Sequence, residues 1–369
     1  MRRWLSAITA LVVLSVSGCT PPAADHFGVH ILRSLPQRFD VAAEIGVHWV
    51  RSHPSIIVQD PRTDAADHRR AALDGIAQWR ARGYKVHVTV RRNGHAQGTG
   101  QVPSTPPPGY MLGQGPGQPA FDAYKKELAS ILDSARPDAI AIENEEDSLN
   151  FWDGGSGPLA EQMQPYVDLL AAAVQVAAPR GVIVTDGGIT TPGAQYVTYQ
   201  SYLDQGRPDL AASYAARTAG TNYDTSSSTY RGRLAKARFV LSHAAAAGAR
   251  FANFHWYAIN AEAFEETIAA LRRSSGLRVI SNEIGRVSDE PGEIRGLASK
   301  VLATGMPWAI WFSIDAQRAR ALQDDGTDRP GYPAGNLRPR GVALRDFLRS
   351  QPATADRIRD SLPSAHARR

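Results

Sequence analysis

Asp138-Ala-Ile-Ala-Ile-Glu-Asn-Glu-Glu-Asp147 is an apolar run of strand length, preceded by the helix-breaking Pro137 and ended abruptly by Glu143, Asn144, Glu145, Glu146 and Asp147. Carboxylates packed this tightly repel one another, so at least one should have an altered proton affinity if the site is partly buried. A second apolar run, Leu277-Arg-Val-Ile-Ser-Asn-Glu-Ile-Gly285, also ends on an Asn-Glu pair, Asn282 and Glu283. Two strands that each finish on a carboxylate suggest an acid and a nucleophile facing each other, as breaking a glycosidic bond requires.

Further strand-length runs precede this stretch at 27–32, 46–51 and 84–90, and follow it at 181–186, 251–257 and 307–313. Between them the spacing predicts helices at 36–45, 65–83, 121–135, 157–178, 261–274, 290–304 and 341–348, and one ending near 247. In the second of these, Ala72, Ile76 and Trp79 share a face and Gly83 is a natural stop. Strands alternating with helices in this way predict a (β/α)₈ TIM barrel, a single domain over 27–350. An open doubly wound sheet fits less well, because polar and aromatic residues recur at the C-terminal ends of several strands. It would also want a Gly-rich nucleotide motif after the first strand, and none follows it. The Gly/Pro-rich stretch 91–119 and the polar stretch 215–228, with Tyr223, read as long loops, the first of them facing substrate.

Hydrophobic residues make up 43% and charged residues 21%, a balance that can bury a sizeable core. The net charge of +5 owes much to the termini, and no basic stripe interleaved with aromatics suggests a nucleic-acid partner. Met1-Arg-Arg followed by an apolar core at 4–16 reads as an export signal, too short for an ordinary membrane span. Val16-Ser-Gly-Cys19 resembles the lipobox of bacterial lipoproteins. That resemblance implies cleavage after 1–18, lipidation of Cys19, a tether at 19–26 and an extracytoplasmic, membrane-anchored protein. Cys19 is the only cysteine, so no disulfide can form within the chain. The tail at 351–369 is expected to be disordered.

The residues at the strand ends resemble those of clan A retaining glycoside hydrolases. On that resemblance Glu145, in its Asn-Glu pair on the fourth strand, is the acid/base, and Glu283 on the seventh is the nucleophile. Asn144 matches the asparagine that contacts the sugar 2-hydroxyl, and His255-Trp256-Tyr257 matches a His-x-Tyr whose tyrosine hydrogen-bonds the nucleophile. Arg51 matches the arginine that keeps the nucleophile ionised, and Trp311 the tryptophan that floors the sugar subsite. Trp152 and Trp256 are further candidates for stacking on sugar faces. The resemblance implies hydrolysis of a β-linked oligo- or polysaccharide by double displacement, without a cofactor. The sequence departs from it at Glu146, where many members carry proline.

The residues alone leave alternatives. Glu146 rivals Glu145 as the acid, since strand ends are uncertain by a few residues. Glu143 reads equally as a buried carboxylate paired with an arginine, and Arg51 as such a partner. Glu143, Glu146 and Asp147 are expected to supply the like charge that keeps the acid protonated. His30, His53, His87 and His255 lie near strands, but the motifs of a zinc site are missing, so no metal is expected. No Gly-x-Ser-x-Gly elbow is present. A carbohydrate-binding lipoprotein without catalysis and a glycan-remodelling transglycosylase are the other readings, and a monomer is expected.

Overall fold

Alternation along each strand sorts the side chains between two cores. In the computed structural model, residues 23–32, 37–97, 100–258, 260–285, 290–314, 322 and 336–351 are described. The expected signal segment with Cys19, the tether before Ala23 and the expected tail after Gln351 lie outside those residues.

Eight parallel strands close into a barrel: β1 (Phe27–His30), β2 (Trp49–Ile57), β3 (Lys85–Arg91), β4 (Ala139–Ile142), β5 (Ile183–Asp186), β6 (Phe251–Trp256), β7 (Arg278–Ile284) and β8 (Ala309–Trp311). Each pairs with its neighbours in sequence, and β1 joins β8 and β2 through Gly28↔Ile310 and Gly28↔Trp49. A Cβ at Gly28 would lie 2.6 Å from the Cβ of Trp49, so this close approach requires glycine. The helices of the outer layer are α1 (Gln37–Ile45), α2 (Ala65–Ala81), α3 (Asp122–Ala135), α4 (Leu159–Ala177), α5 (Thr191–Asp204), α6 (Pro208–Arg217), α7 (Ser228–Ala244), α8 (Ala261–Ser275), α9 (Pro291–Ala303) and α10 (Pro339–Arg349). This is a (β/α)₈ barrel. Among the described residues no helix is long and apolar enough to cross a membrane.

In β3 the period of two is plain. Val86, Val88 and Val90 pack outward against the helices, while His87, Thr89 and Arg91 point to the barrel axis. The lower axis is filled by Trp49, Ala139, Phe251, Ile280, Trp308 and Ile310, with Trp49 and Trp308 stacked at 4.5 Å. Burying side chains of this size is worth roughly 1.5–3 kcal/mol each. The apolar plug leaves only the upper end of the barrel free for polar groups.

The helices follow the same logic. α3 buries Tyr124, Leu128, Ile131, Leu132 and Ala135, a stripe at helical spacing. α8 starts at Asn260, whose side chain accepts the Ala263 N–H at 2.9 Å, and stops at Gly276 with φ 68°.

Two stretches read as loops carry structure. Within 91–119 a short hairpin pairs His95–Gln97 with Gly100–Val102. Between β5 and β6 two extra helices, α5 and α6, precede α7, so the expected loop at 215–228 is shortened to 218–227. Its one tyrosine, Tyr223, is a packing residue, 4.7 Å from Tyr199 of α5, and beside it Tyr196 of α5 meets Tyr230 of α7 at 4.5 Å. Rings that looked polar in sequence bury one another's faces here.

Candidate active site

The chain leaves β4 through two residues in left-handed conformation, Glu143 at φ 64° and Glu145 at φ 46°. Non-glycine residues rarely adopt this conformation, and surrounding contacts must hold them there. Glu143 turns under the strand end, where its Oε1 accepts the Arg92 N–H at 2.6 Å and its Oε2 lies 3.5 Å from Arg91. Burial nonetheless pushes its carboxyl up, against the pull of Arg91. Asp147 accepts the Thr190 N–H at 2.9 Å and the Thr190 hydroxyl at 2.5 Å, tying the turn to the start of α5. Glu146 is fully buried, and among the described residues neither carboxylate oxygen has a hydrogen-bond partner. Burial first, and then Asp186 and Asp147, push its carboxyl well up. Of the four acids, Glu145 alone is not buried, with 22% of its side chain exposed.

Burial raises the proton affinity of Glu143, Glu146 and Asp147 themselves. The group that touches Glu145 is His255, whose Nδ1 lies 2.9 Å from Oε1.

The end of β7 is built differently. Against β6 the register passes from Asn253↔Ile280 to His255↔Glu283, and against β8 from Ala309↔Ser281 to Trp311↔Ile284. Both neighbours thus see one extra residue on β7, a bulge that turns Asn282 and Glu283 together toward the axis. Asn282 Oδ1 lies 3.1 Å from His255 Nε2. Glu283 Oε2 accepts from Arg51 Nη1 at 2.5 Å, and Oε1 accepts the Tyr257 hydroxyl. Arg51 also donates to Asn144 Oδ1 at 2.8 Å, to the Asn282 carbonyl at 3.2 Å and to Thr89 Oγ1 at 2.9 Å. Burial works to raise the Glu283 carboxyl, but His255, Arg51 and the Tyr257 hydroxyl outweigh it and hold it below the usual range.

The His255 imidazole spans the two carboxylates, with Nε2 3.6 Å from Glu283 Oε2. Burial opposes its charge, yet Glu283 and then Glu145 raise its proton affinity above the ordinary histidine value. Beneath it, Asp186 accepts the N–H groups of Gly188 and Asn253, each at 3.0 Å, and Asn253 Oδ1 accepts the Asn282 N–H at 3.0 Å. Glu145, Glu283, Asn144, Arg51, His255 and Tyr257 therefore meet in one network.

Two expected site residues do not join it. Trp256 and Trp311 are fully buried in the outer core, Trp256 against Phe254 and Phe264. His255 and Phe312 point inward, so their strand neighbours Trp256 and Trp311 must point outward. Trp152 is likewise buried, edge-on to Tyr166. None of the three can stack on a sugar. Phe312 takes the place expected of Trp311: it lines the cleft, 5.1 Å from the His30 ring and 5.9 Å from Tyr257.

The cleft, about 470 Å³, runs from Glu283 and Asn144 past Phe312, His30 and His53 to the hairpin. His53 is pulled down to about 4 by burial and then by Arg51 and His68, so it is neutral near pH 7. The far wall is Phe151 together with the hairpin, strapped down by Arg91, which donates to the Val102 carbonyl at 3.0 Å and the Phe151 carbonyl at 3.4 Å. Among the described residues no group of three His, Cys, Asp or Glu is placed to hold a metal ion.

No protein-family model matches the chain, and no curated protein does. Among solved structures it is similar to an exo-β-1,4-mannosidase from Opitutaceae bacterium strain TAV5, at 12% identity and TM-score 0.52, over 89% of this chain and 60% of that one. It is also similar to a glucosidase from Croceicoccus marinus, at 14% identity and TM-score 0.52, over 88% and 67% of the two chains. A psychrophilic family 10 endo-β-1,4-xylanase matches at 10% identity and TM-score 0.52, over 87% and 95%. The likeness at these identities is one of fold. The chain spans 60% of the length of the mannosidase.

Proposed function

We propose that the protein hydrolyses a β-linked glycoside by retaining double displacement, with Glu145 as acid/base and Glu283 as nucleophile. One observation carries this reading: a single imidazole touches both carboxylates, while only Glu283 also receives a guanidinium and a phenol. A carboxylate so held is ionised and ready to attack. A more exposed one beside it is free to exchange protons with a leaving group and with water. The mannosidase and the xylanase are both named for β-1,4 linkages, which accords with a β-linked substrate.

In the first step a Glu283 oxygen attacks the anomeric carbon, the glycosidic C–O bond breaks, and Glu145 gives its proton to the departing oxygen. Arg51 and Tyr257 keep Glu283 ionised, and Asn144, held by Arg51, is placed to meet the sugar. In the second step Glu145 takes a proton from water, the water oxygen attacks the anomeric carbon, and the ester to Glu283 breaks. Such chemistry calls for a carboxyl separation of about 5–5.5 Å.

The test is an aryl β-glycoside fluorinated beside the anomeric carbon, which slows the second step. A sugar covalently attached to Glu283 in the digested protein is the expected result, and labelling at another carboxylate would overturn the assignment. The export reading is also a proposal. Incorporation of a tagged fatty acid in a bacterial host, lost in Cys19→Ala, is its expected signature.

A further inference from the structure

The face opposite the cleft carries a feature that the glycosidase reading does not use. Lys85 opens β3 and Arg278 opens β7, Arg136 and Arg180 stand just ahead of β4 and β5, and Arg250 directly precedes β6. With Arg80, in the last turn of α2, all are exposed at the N-terminal end of the barrel. Arg80, Lys85, Arg136 and Arg180 ring a hollow of about 560 Å³ between the starts of β2, β3, β4 and β5.

The carboxylates of this hollow are already engaged. Asp133 takes Arg180 through both oxygens, at 2.8 and 3.0 Å, and Asp138 accepts the Val86 N–H at 2.9 Å. Arg80, Lys85, Arg136, Arg250 and Arg278 have no carboxylate within ion-pair distance among the described residues. Helices of a barrel all end on this face, and their dipoles favour cations there. That accounts for Arg80 in its helix turn. It does not account for Lys85, Arg250 and Arg278, which belong to strand starts.

The chain also enters the fold here. Ala23–His26 leads into β1 and is pinned by His26 Nδ1 against the Met306 carbonyl at 2.6 Å and by Asp25 against His48 at 2.5 Å. Cys19 lies four residues before Ala23, which spans at most about 14 Å even fully extended. Anything that holds Cys19 at a bilayer holds this face beside it.

We propose that this face binds anionic phospholipid headgroups, so that the barrel rests on the membrane with its cleft directed away. The field of these cations acts only near the surface, since the screening length at physiological salt is roughly 8 Å.

The experiment uses the mature chain, from residue 19 onward and carrying Cys19→Ser, so that neither an attached lipid nor the apolar segment 4–16 contributes, with phosphatidylcholine vesicles that contain or lack phosphatidylglycerol. The expected result is preferential sedimentation with the anionic vesicles, lost at high salt. Each cation near such a surface is worth about fivefold in binding. The triple variant Lys85→Glu/Arg136→Glu/Arg250→Glu should therefore weaken it by about a hundredfold or more. The matched variant Arg70→Glu/Lys126→Glu/Arg231→Glu, altered within the first two turns of α2, α3 and α7 at the opposite end, should retain it. Equal binding to both vesicles, insensitivity to salt or equal loss in the two variants would overturn the proposal. So would binding of a soluble acidic polysaccharide by protein that ignores the vesicles. None of these outcomes bears on whether the cleft hydrolyses glycosides.

Discussion

The ends of β4 and β7 each offer a glutamate beside an asparagine to the same histidine, His255, in opposite settings. Glu283 is compensated on every side, by Arg51, the Tyr257 hydroxyl and His255, and burial then strengthens these contacts. Around Glu145 the neighbouring acids are buried without enough positive charge, and their proton affinities rise. One residue type thus stands in two environments, because the fold places a guanidinium and a phenol at one strand end and leaves the other part-exposed, against His255 alone among the described residues. The difference lies in the support, since the dipeptide Asn-Glu is the same in both.

The sharpest test of the contrast removes each carboxylate in turn. Glu283→Ala should lower kcat on an aryl β-glycoside by about 10⁴-fold or more, the scale for loss of a covalent nucleophile. Added azide should restore turnover and give the α-glycosyl azide, because azide then attacks once. Glu145→Ala should cost about 10²–10⁴-fold, least for leaving groups that need no proton. Its azide product should be the β-anomer, formed by two displacements. The same anomer from both variants would erase the distinction between the two strand ends.

A smaller effect is expected from Arg51→Met. Glu283 should then bind its proton more readily, moving the acidic limb of kcat/KM upward by about 1–3 pH units. The sign for stability follows as well. Glu283, held low in the folded protein, contributes stability that is present above the ordinary carboxylate range and lost as pH falls through its lowered value. The variant should lose that acid sensitivity in thermal unfolding. An unmoved acidic limb would mean that Arg51 serves packing alone.

The mildest change is Glu146→Gln, expected to leave kcat nearly intact. The wild-type carboxyl is held high, so its stabilising contribution is complete below the ordinary carboxylate range and declines as pH rises toward its folded value. The melting temperature of the variant relative to wild type should therefore climb from acidic to neutral pH. A large fall in kcat would make Glu146 part of the chemistry, reviving it as the rival acid.

Much of this was readable from the chain, because the barrel rests on local apolar runs and the site on residue types at strand ends. What escaped depends on backbone detail. The left-handed turns at Glu143 and Glu145 bury Glu146 and leave Glu145 open, and no residue type in that stretch announces them. The β7 bulge, which turns Asn282 and Glu283 inward together, breaks the simple alternation of a strand. Trp256 and Trp311 are a different case, since alternation itself sends them outward once His255 and Phe312 face in. Counting by twos from His255 would have found this. Helix α6 is short, with a single tyrosine, Tyr214, that packs against Tyr223, and its end overlaps the stretch that reads as a polar loop.

Arg91 has a consequence for how such a protein can change. Its guanidinium reaches the hairpin at Val102, the loop at Phe151 and, through Nε, the buried Glu143 that begins the turn to Glu145. The far wall of the cleft and the turn that carries Glu145 are consequently one mechanical part. Because Arg91 belongs to β3, a hairpin exchanged for another would keep the clamp only where its backbone presents a carbonyl at the place of Val102. A change at Gln101, whose side chain Arg91 also reaches at 3.3 Å, touches the same clamp.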